Sequence, residues 1–226
     1  MKIVIAPDKF KNSLTSLEFC DIVEKQIKLN LPATNIVKLP LADGGDGTID
    51  IINYYLHGIK IFVTVCNPLF AATKASYLYA VNSQTAFIEM AEASGLKLLK
   101  PAEIDCKNAT SFGTGELILD AINKGAKKII LGIGGSATND CGIGMATALG
   151  YRFLDNKNKT VNPIGANLSK IKSIDISKVN TKIFDVEFQI ACDVTNPLHG
   201  ENGAAHVYAA QKGANQTDIL LLDQGL

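Results

Sequence analysis

Apolar residues come along this chain in short β-branched runs, separated by polar stretches with helical spacing. Lys2 to Ala6 reads as a buried strand. Thr15-x-x-Glu18 is a capping box, and Leu14 before it is placed to staple onto Phe19. Phe19, Ile22, Val23 and Ile27 continue as the apolar stripe of a helix that Pro32 closes. Ile36 to Leu39 is a second apolar run, and Ile49 to Leu56 a second helix. Residues 1–56 therefore predict strand, helix, strand, helix, the opening of an α/β unit.

The period then changes. Ile59, Ile61, Val63 and Val65 alternate with Lys60, Phe62, Thr64 and Cys66. Ala75 to Val81 and Thr85 to Met90 are also strand-like, and the short turns between them predict antiparallel pairing. The change places a boundary near residues 57–60. A helix follows from Gly115 to Asn123, with Leu117, Ile118, Ala121 and Ile122 on one face and Gly125 as its C-terminal cap. Lys128 to Leu131 predicts a buried strand, Met145 to Leu149 a helix, and Arg152 to Leu154 a strand. Residues 155–182, rich in Asn, Lys and Ser, predict a surface excursion. Val186 to Ala191 is a last strand and Thr217 to Leu226 a last helix.

Composition narrows the function classes. With 226 residues and 47% apolar content, the chain can bury a sizeable core. A formal net charge of zero gives no overall basic field for nucleic acid. No apolar window reaches membrane-spanning length, and the opening run is too short for a secretory signal. Cys20, Cys66, Cys106, Cys141 and Cys192 are scattered and odd in number, which predicts reduced thiols and a cytoplasmic protein. His57, His199 and His206 lack metal-ligand spacing.

The chemistry concentrates after strands. Lys128 to Leu131 runs into Gly132-Ile-Gly-Gly-Ser-Ala-Thr-Asn-Asp140, a loop whose backbone N–H groups could cradle phosphate oxygens. Ser136, Thr138 and Asn139 add side-chain donors, and Asp140 could hold a cation. The same stretch also reads as a tight strand-to-helix turn with capping residues. Asp8, Asp43, Asp46 and Asp193 each follow an apolar run, where α/β proteins bind ligands. Carboxylates there suit Mg²⁺ binding or a general base, though Asp also caps helices and turns. Lys9, Lys11 and Lys212 could offset phosphate charge. The combination points to phosphoryl transfer without a Walker A sequence. Gly132-x-Gly134-x-x-Ala137 also resembles a dinucleotide fingerprint, with Asp155 beyond it, but Gly142 and Gly144 fall where the fingerprint helix should run.

Six segments carry a family resemblance: Ala6-Pro-Asp-Lys-Phe-Lys-Asn-Ser-Leu14, Pro40-Leu-Ala-Asp-Gly-Gly-Asp-Gly-Thr48, Thr114-Gly-Glu116, Gly132 to Asp140, Ala191-Cys-Asp-Val-Thr-Asn-Pro-Leu198 and Gln211-Lys-Gly-Ala214. In order and spacing they resemble the bacterial type I glycerate kinases. The resemblance implies a two-domain α/β fold, a flavodoxin-like domain with an inserted restriction-endonuclease-like domain. Residues 1–58 would belong to the first and 59–226 to the second. It implies phosphorylation of D-glycerate by ATP with Mg²⁺, 2-phosphoglycerate being the more typical product, and no nucleic-acid or membrane partner. Gly134, Gly135, Ser136, Thr138, Asn139 and Asp140 would contact phosphate. Asp8, Asp43 or Asp193 would supply the base, Asp43 and Asp193 the metal ligands, and Lys9 or Lys212 the countercharge. Asn12 and Cys141 stand where the family usually has Gly, Asp46 where it has Glu, and Ala209-Ala210 where it has Gly-Pro. Family members also run beyond residue 226. An inactive truncated fragment, acting as a ligand- or partner-binding module, is therefore the alternative expectation.

Overall fold

The computed structural model describes residues 1–10 and 13–226, so Lys11 and Asn12 lie outside the described residues. The chain begins with β1 (Lys2–Ile5), α1 (Ser16–Asn30) and β2 (Asn35–Lys38). β1 and β2 pair in parallel, Lys2 against Asn35 through Ile5 against Lys38. Both bonds of the predicted capping box start α1: Glu18 N–H to Thr15 Oγ1 at 3.1 Å and Thr15 N–H to Glu18 Oε2 at 2.8 Å. α2 (Thr48–Leu56) ends at His57, whose φ of 50° turns the chain out of the helix.

A separate five-stranded sheet follows. Its strands are β3 (Ile59–Cys66), β4 (Ala72–Ala80) and β5 (Thr85–Glu89). After α3 (Ala91–Ser94) and α4 (Phe112–Asn123) comes β6 (Lys128–Gly132). α5 (Ile143–Ala148), β7 (Arg152–Leu154) and β8 (Ser173–Asp175) precede the last strand, β9 (Glu187–Ala191). The spatial order is β3-β4-β5-β6-β9. β3, β4 and β5 pair antiparallel as predicted, whereas β5–β6 and β6–β9 are parallel. α6 (Ala204–Tyr208) and α7 (Gln216–Gly225) close the described chain. The protein is a mixed α/β structure, as expected.

The core explains the parallel half. Leu117, Ile118, Ala121 and Ile122 of α4 bury one face against Tyr77, Ile88 and Ile129 of the sheet. The Tyr77 hydroxyl, at the centre of that core, donates to Asp120 at 2.8 Å, so its burial leaves no orphan polar group. α4 starts three residues before the predicted Gly115, because its first turn lies on β3: a side chain at Gly113 would strike the Cys66 carbonyl.

One expectation is corrected. Residues 155–182 are no mere excursion. β8 pairs antiparallel with β7, and Val161 and Leu168 join Ile143 and Phe153 in a core of their own. These apolar residues sit singly among Asn, Lys and Ser, so the segment shows neither helical nor strand period. No helix among the described residues is long and apolar enough to cross a membrane. All five cysteines are free thiols.

Candidate active site

Register in the parallel half aligns three strand ends. Glu89 pairs with Gly132, and Gly132 with Ala191, so β5, β6 and β9 finish in one row. The acidic loop between β2 and α2 lies across that row. A Cβ at Gly44 would sit 2.8 Å from the Ala191 carbonyl oxygen, and one at Gly132 only 2.3 Å from the Gly44 oxygen. A Cβ at Gly134 would meet the Gly45 Cα at 2.7 Å. Only glycine lets two backbones approach this closely. Beside them, the Glu89 carboxylate accepts Ile49 N–H at 2.6 Å and Gly47 N–H at 3.3 Å. Glu89 is 3% exposed. Burial pushes its pKa above the ordinary carboxylate value, although the Ile49 and Gly47 N–H groups pull the other way.

Charges of both signs collect where the two loops touch. Lys9 Nζ lies 3.2 Å from Asp43 Oδ1 and donates to the Asp46 carbonyl at 3.1 Å. Gly45 N–H donates to the same Asp43 oxygen at 2.8 Å. Partial burial pushes the Asp43 carboxyl up, but Gly45 N–H and the Lys9 ammonium outweigh it, so the group sits below its ordinary value. Lys97 Nζ bridges Asp46 at 3.2 Å and Glu92 at 2.6 Å.

The Gly-rich loop has a surface part and an inward part. Gly135, with φ 74°, is exposed, and Gly134 and Ser136 are half-buried. Lys212, far along the chain, donates from Nζ to Ser136 Oγ at 2.8 Å and to the Thr138 carbonyl at 2.9 Å. Its ammonium is largely buried, and that desolvation pushes its pKa down. Thr138, Asn139 and Asp140 then turn into the protein.

A family model described as the glycerate kinase family matches residues 3–226. The chain belongs to that family. It is 44% identical over 226 residues to the Escherichia coli (strain K12) "Glycerate 2-kinase", covering 100% of this chain and 59% of that protein. It is 43% identical over 226 residues to a Bacillus cereus "Glycerate kinase", again covering 100% of this chain and 59% of the relative. A crystallised Salmonella typhimurium LT2 protein, described as a candidate glycerate kinase 2, matches with a TM-score of 0.87 at 44% identity, over 100% of this chain and 60% of its own. The chain thus spans 59% of the length of these curated relatives.

In this glycerate kinase family member, the structure brings together Lys9, Asp43, Gly134, Gly135, Ser136 and, through Ser136, Lys212. Asp8 is exposed beside Lys9 and accepts its backbone N–H at 2.7 Å. Asp193 is exposed in the loop after β9, with no side-chain hydrogen bond to another described residue. Asp140 requires a correction. It is 2% exposed, and its carboxylate accepts from Ser111 N–H, Ser111 Oγ, Gly142 N–H and Gly144 N–H at 2.7–3.2 Å. A carboxylate so engaged anchors the loop and offers no surface to phosphate or cation. Thr138 and Asn139 beside it are buried as well. Sequence reasoning missed Glu89, Glu92 and Lys97. Glu89 carries the same signal as Asp8 and Asp43, an acidic residue ending an apolar run, but the strand pattern from Thr85 to Met90 absorbs it.

Proposed function

We propose that this chain carries active-site loops of an ATP-dependent kinase that phosphorylates D-glycerate, giving 2-phosphoglycerate, in the cytoplasm. The observation that carries this reading is the convergence of the Lys9–Asp43 pair with the partly exposed Gly134–Ser136 segment at three parallel strand ends. Phosphoryl transfer asks a protein mainly for positioning and charge stabilisation. Backbone N–H groups at Gly135 and Ser136 and the ammoniums of Lys9 and Lys212 would face phosphate oxygens. The ionised Asp43 carboxylate would orient the substrate hydroxyl and take its proton, with Asp8 and Asp193 as the other carboxylates within this set of loops. The name of the Escherichia coli relative supports the 2-position.

Bound ATP supplies the phosphoryl group, and Mg²⁺ neutralises its charge. Among the described residues no three His, Cys, Asp or Glu side chains gather into a metal-holding group. Mg²⁺ takes one or two carboxylates and completes its shell with phosphates and water, and Asp43 and Asp193 are exposed carboxylates in loops after strands. Whichever of Asp43 and Asp193 does not take the hydroxyl proton would hold the ion. We also assign residues 1–58 to a flavodoxin-like domain and 59–226 to an inserted domain, a division supported by the separation of the β1–β2 sheet from the five-stranded sheet.

Glycerate-dependent release of ADP from ATP and Mg²⁺ tests the reading, measured on the 226-residue chain and on a form carried on to the relatives' length. Turnover by either supports it. Turnover by the longer form alone makes this chain an inactive fragment of the enzyme. No glycerate-dependent turnover by either sinks the proposal. Lys212 adds a pH signature. Its pKa is lowered by burial, so an ammonium needed for phosphate is lost as pH rises through a value below the ordinary lysine range. The kcat/KM profile is expected to show an alkaline limb there, and Lys212→Arg is expected to move that limb upward. An unmoved limb would assign the titration to another group.

A further inference from the structure

The acidic loop and α2 belong to the chain before β3, yet they rest on the ends of the second sheet. Glycines allow the backbones to meet, but a close approach does not by itself fix where the loop sits along the row. On the α2 side the loop faces a cavity of about 90 Å³, lined by Gly47, Ile49, Glu89, Glu92 and Lys97 among others. Packed side chains therefore do not wedge the loop from that side, and its placement falls to polar contacts.

Glu89 supplies two of these. It reaches from the end of β5 to the first turn of α2, 40 residues back in sequence at Ile49. Both contacts join a carboxylate to backbone N–H groups at a helix start, the arrangement favoured by the helix dipole and by charge-assisted hydrogen bonding. The Ile49 N–H is buried, so without this acceptor it is left unpaired. Lys97 adds a third tie through Asp46, and Glu92, held also by Ser76 Oγ at 3.0 Å, keeps Lys97 in place. All three ties converge on the Asp46–Ile49 turn, three residues beyond Asp43.

We propose that Glu89 is a positioning residue for phosphoryl transfer: it sets the acidic loop in register on the strand ends, and so places the Lys9–Asp43 pair against the Gly134–Ser136 loop. The assignment rests on the kinase reading above for its catalytic consequence. Its structural content stands apart from that reading.

Glu89→Met keeps the side-chain length and removes both acceptors. Glu89→Gln keeps an oxygen for Ile49 N–H. Hydrogen exchange of the 226-residue chain is read first. In Glu89→Met the Gly47 and Ile49 amides are expected to exchange about tenfold faster or more, with β5 and β6 amides unchanged; opening confined to the loop is a local event. In the active form, kcat is expected to fall roughly 30- to 100-fold with little change in KM for glycerate, because ångström-scale misplacement costs on that order. Glu89→Gln is expected to recover most of kcat. Unchanged protection at Gly47 and Ile49 would overturn the proposal. So would a loss of protection spread over β4, β5 and β6, with activity tracking the folded fraction. If the exchange result holds but the unsubstituted protein shows no glycerate kinase activity, the kinase reading fails and the placement of the loop by Glu89 does not.

Discussion

Gly132→Ala is expected to bring turnover below a hundredth of its starting value and to cost about 3 kcal/mol of stability. The added methyl would lie 2.3 Å from the Gly44 carbonyl oxygen, well inside van der Waals contact. A flexible side chain could swing aside, but here the obstacle is backbone, packed closely on Ala191. Either the acidic loop lifts off the strand ends or the end of β6 moves, and β6 is paired on both sides. Overpacking of this kind costs on the order of 1–3 kcal/mol, and displacing reacting groups by an ångström costs about a hundredfold in rate. Gly125→Ala is the control. Gly125, unlike Gly132, has a left-handed backbone, with φ 95°, and its Cβ would find only the Tyr79 hydroxyl at 3.9 Å. It should lose about 1 kcal/mol through strain alone and keep its turnover. Urea unfolding and the ADP-release assay check both variants. Near-normal stability and turnover in Gly132→Ala would mean that the two loops do not touch as described.

What the chain disclosed before folding follows from how local each cause is. The capping box at Thr15 and Glu18, the alternation through β3 and the stripe on α4 are properties of neighbouring residues, and each stood in the sequence. The parallel register that aligns Glu89, Gly132 and Ala191 is not local, because it arises when α4 buries its stripe against a sheet assembled from distant strands. The same limit explains the site. Lys9, Asp43 and the Gly-rich loop were legible as residue types at strand ends. The inward turn at Thr138 was not, since nothing in Ser-Ala-Thr-Asn-Asp says which polar group will meet Ser111, nearly 30 residues back. Nor do singly placed Val161 and Leu168 announce a small core, because their partners Ile143 and Phe153 lie outside the segment.

That inward turn carries the second large effect, because the Asp140 carboxylate joins Ser111, the start of α5 and the loop's exit. Asp140→Ala is expected to destabilise the protein by about 3–5 kcal/mol, since it leaves the buried Ser111 and Gly144 donors and the half-buried Gly142 N–H unpaired. The Ser111 hydroxyl also accepts Met145 N–H at 2.9 Å, so the loss propagates to the contact between α4 and α5. Asp140→Asn keeps the shape but turns an amide N–H₂ towards one of the donors, and should cost about 1–3 kcal/mol. The pH dependence separates the two forces acting on the carboxyl. Burial raises its folded pKa, with the Ser111, Gly142 and Gly144 N–H groups opposing. A carboxyl whose pKa is higher folded than unfolded stabilises most below the unfolded value, near 4, and loses that contribution as pH rises through the folded value. The stability gap between the unsubstituted protein and Asp140→Asn is therefore expected to narrow as pH rises above about 4. Urea unfolding at a series of pH values measures it. A gap that widens instead would mean that the donors outweigh desolvation, and that the loop is anchored by a carboxylate held below its ordinary pKa.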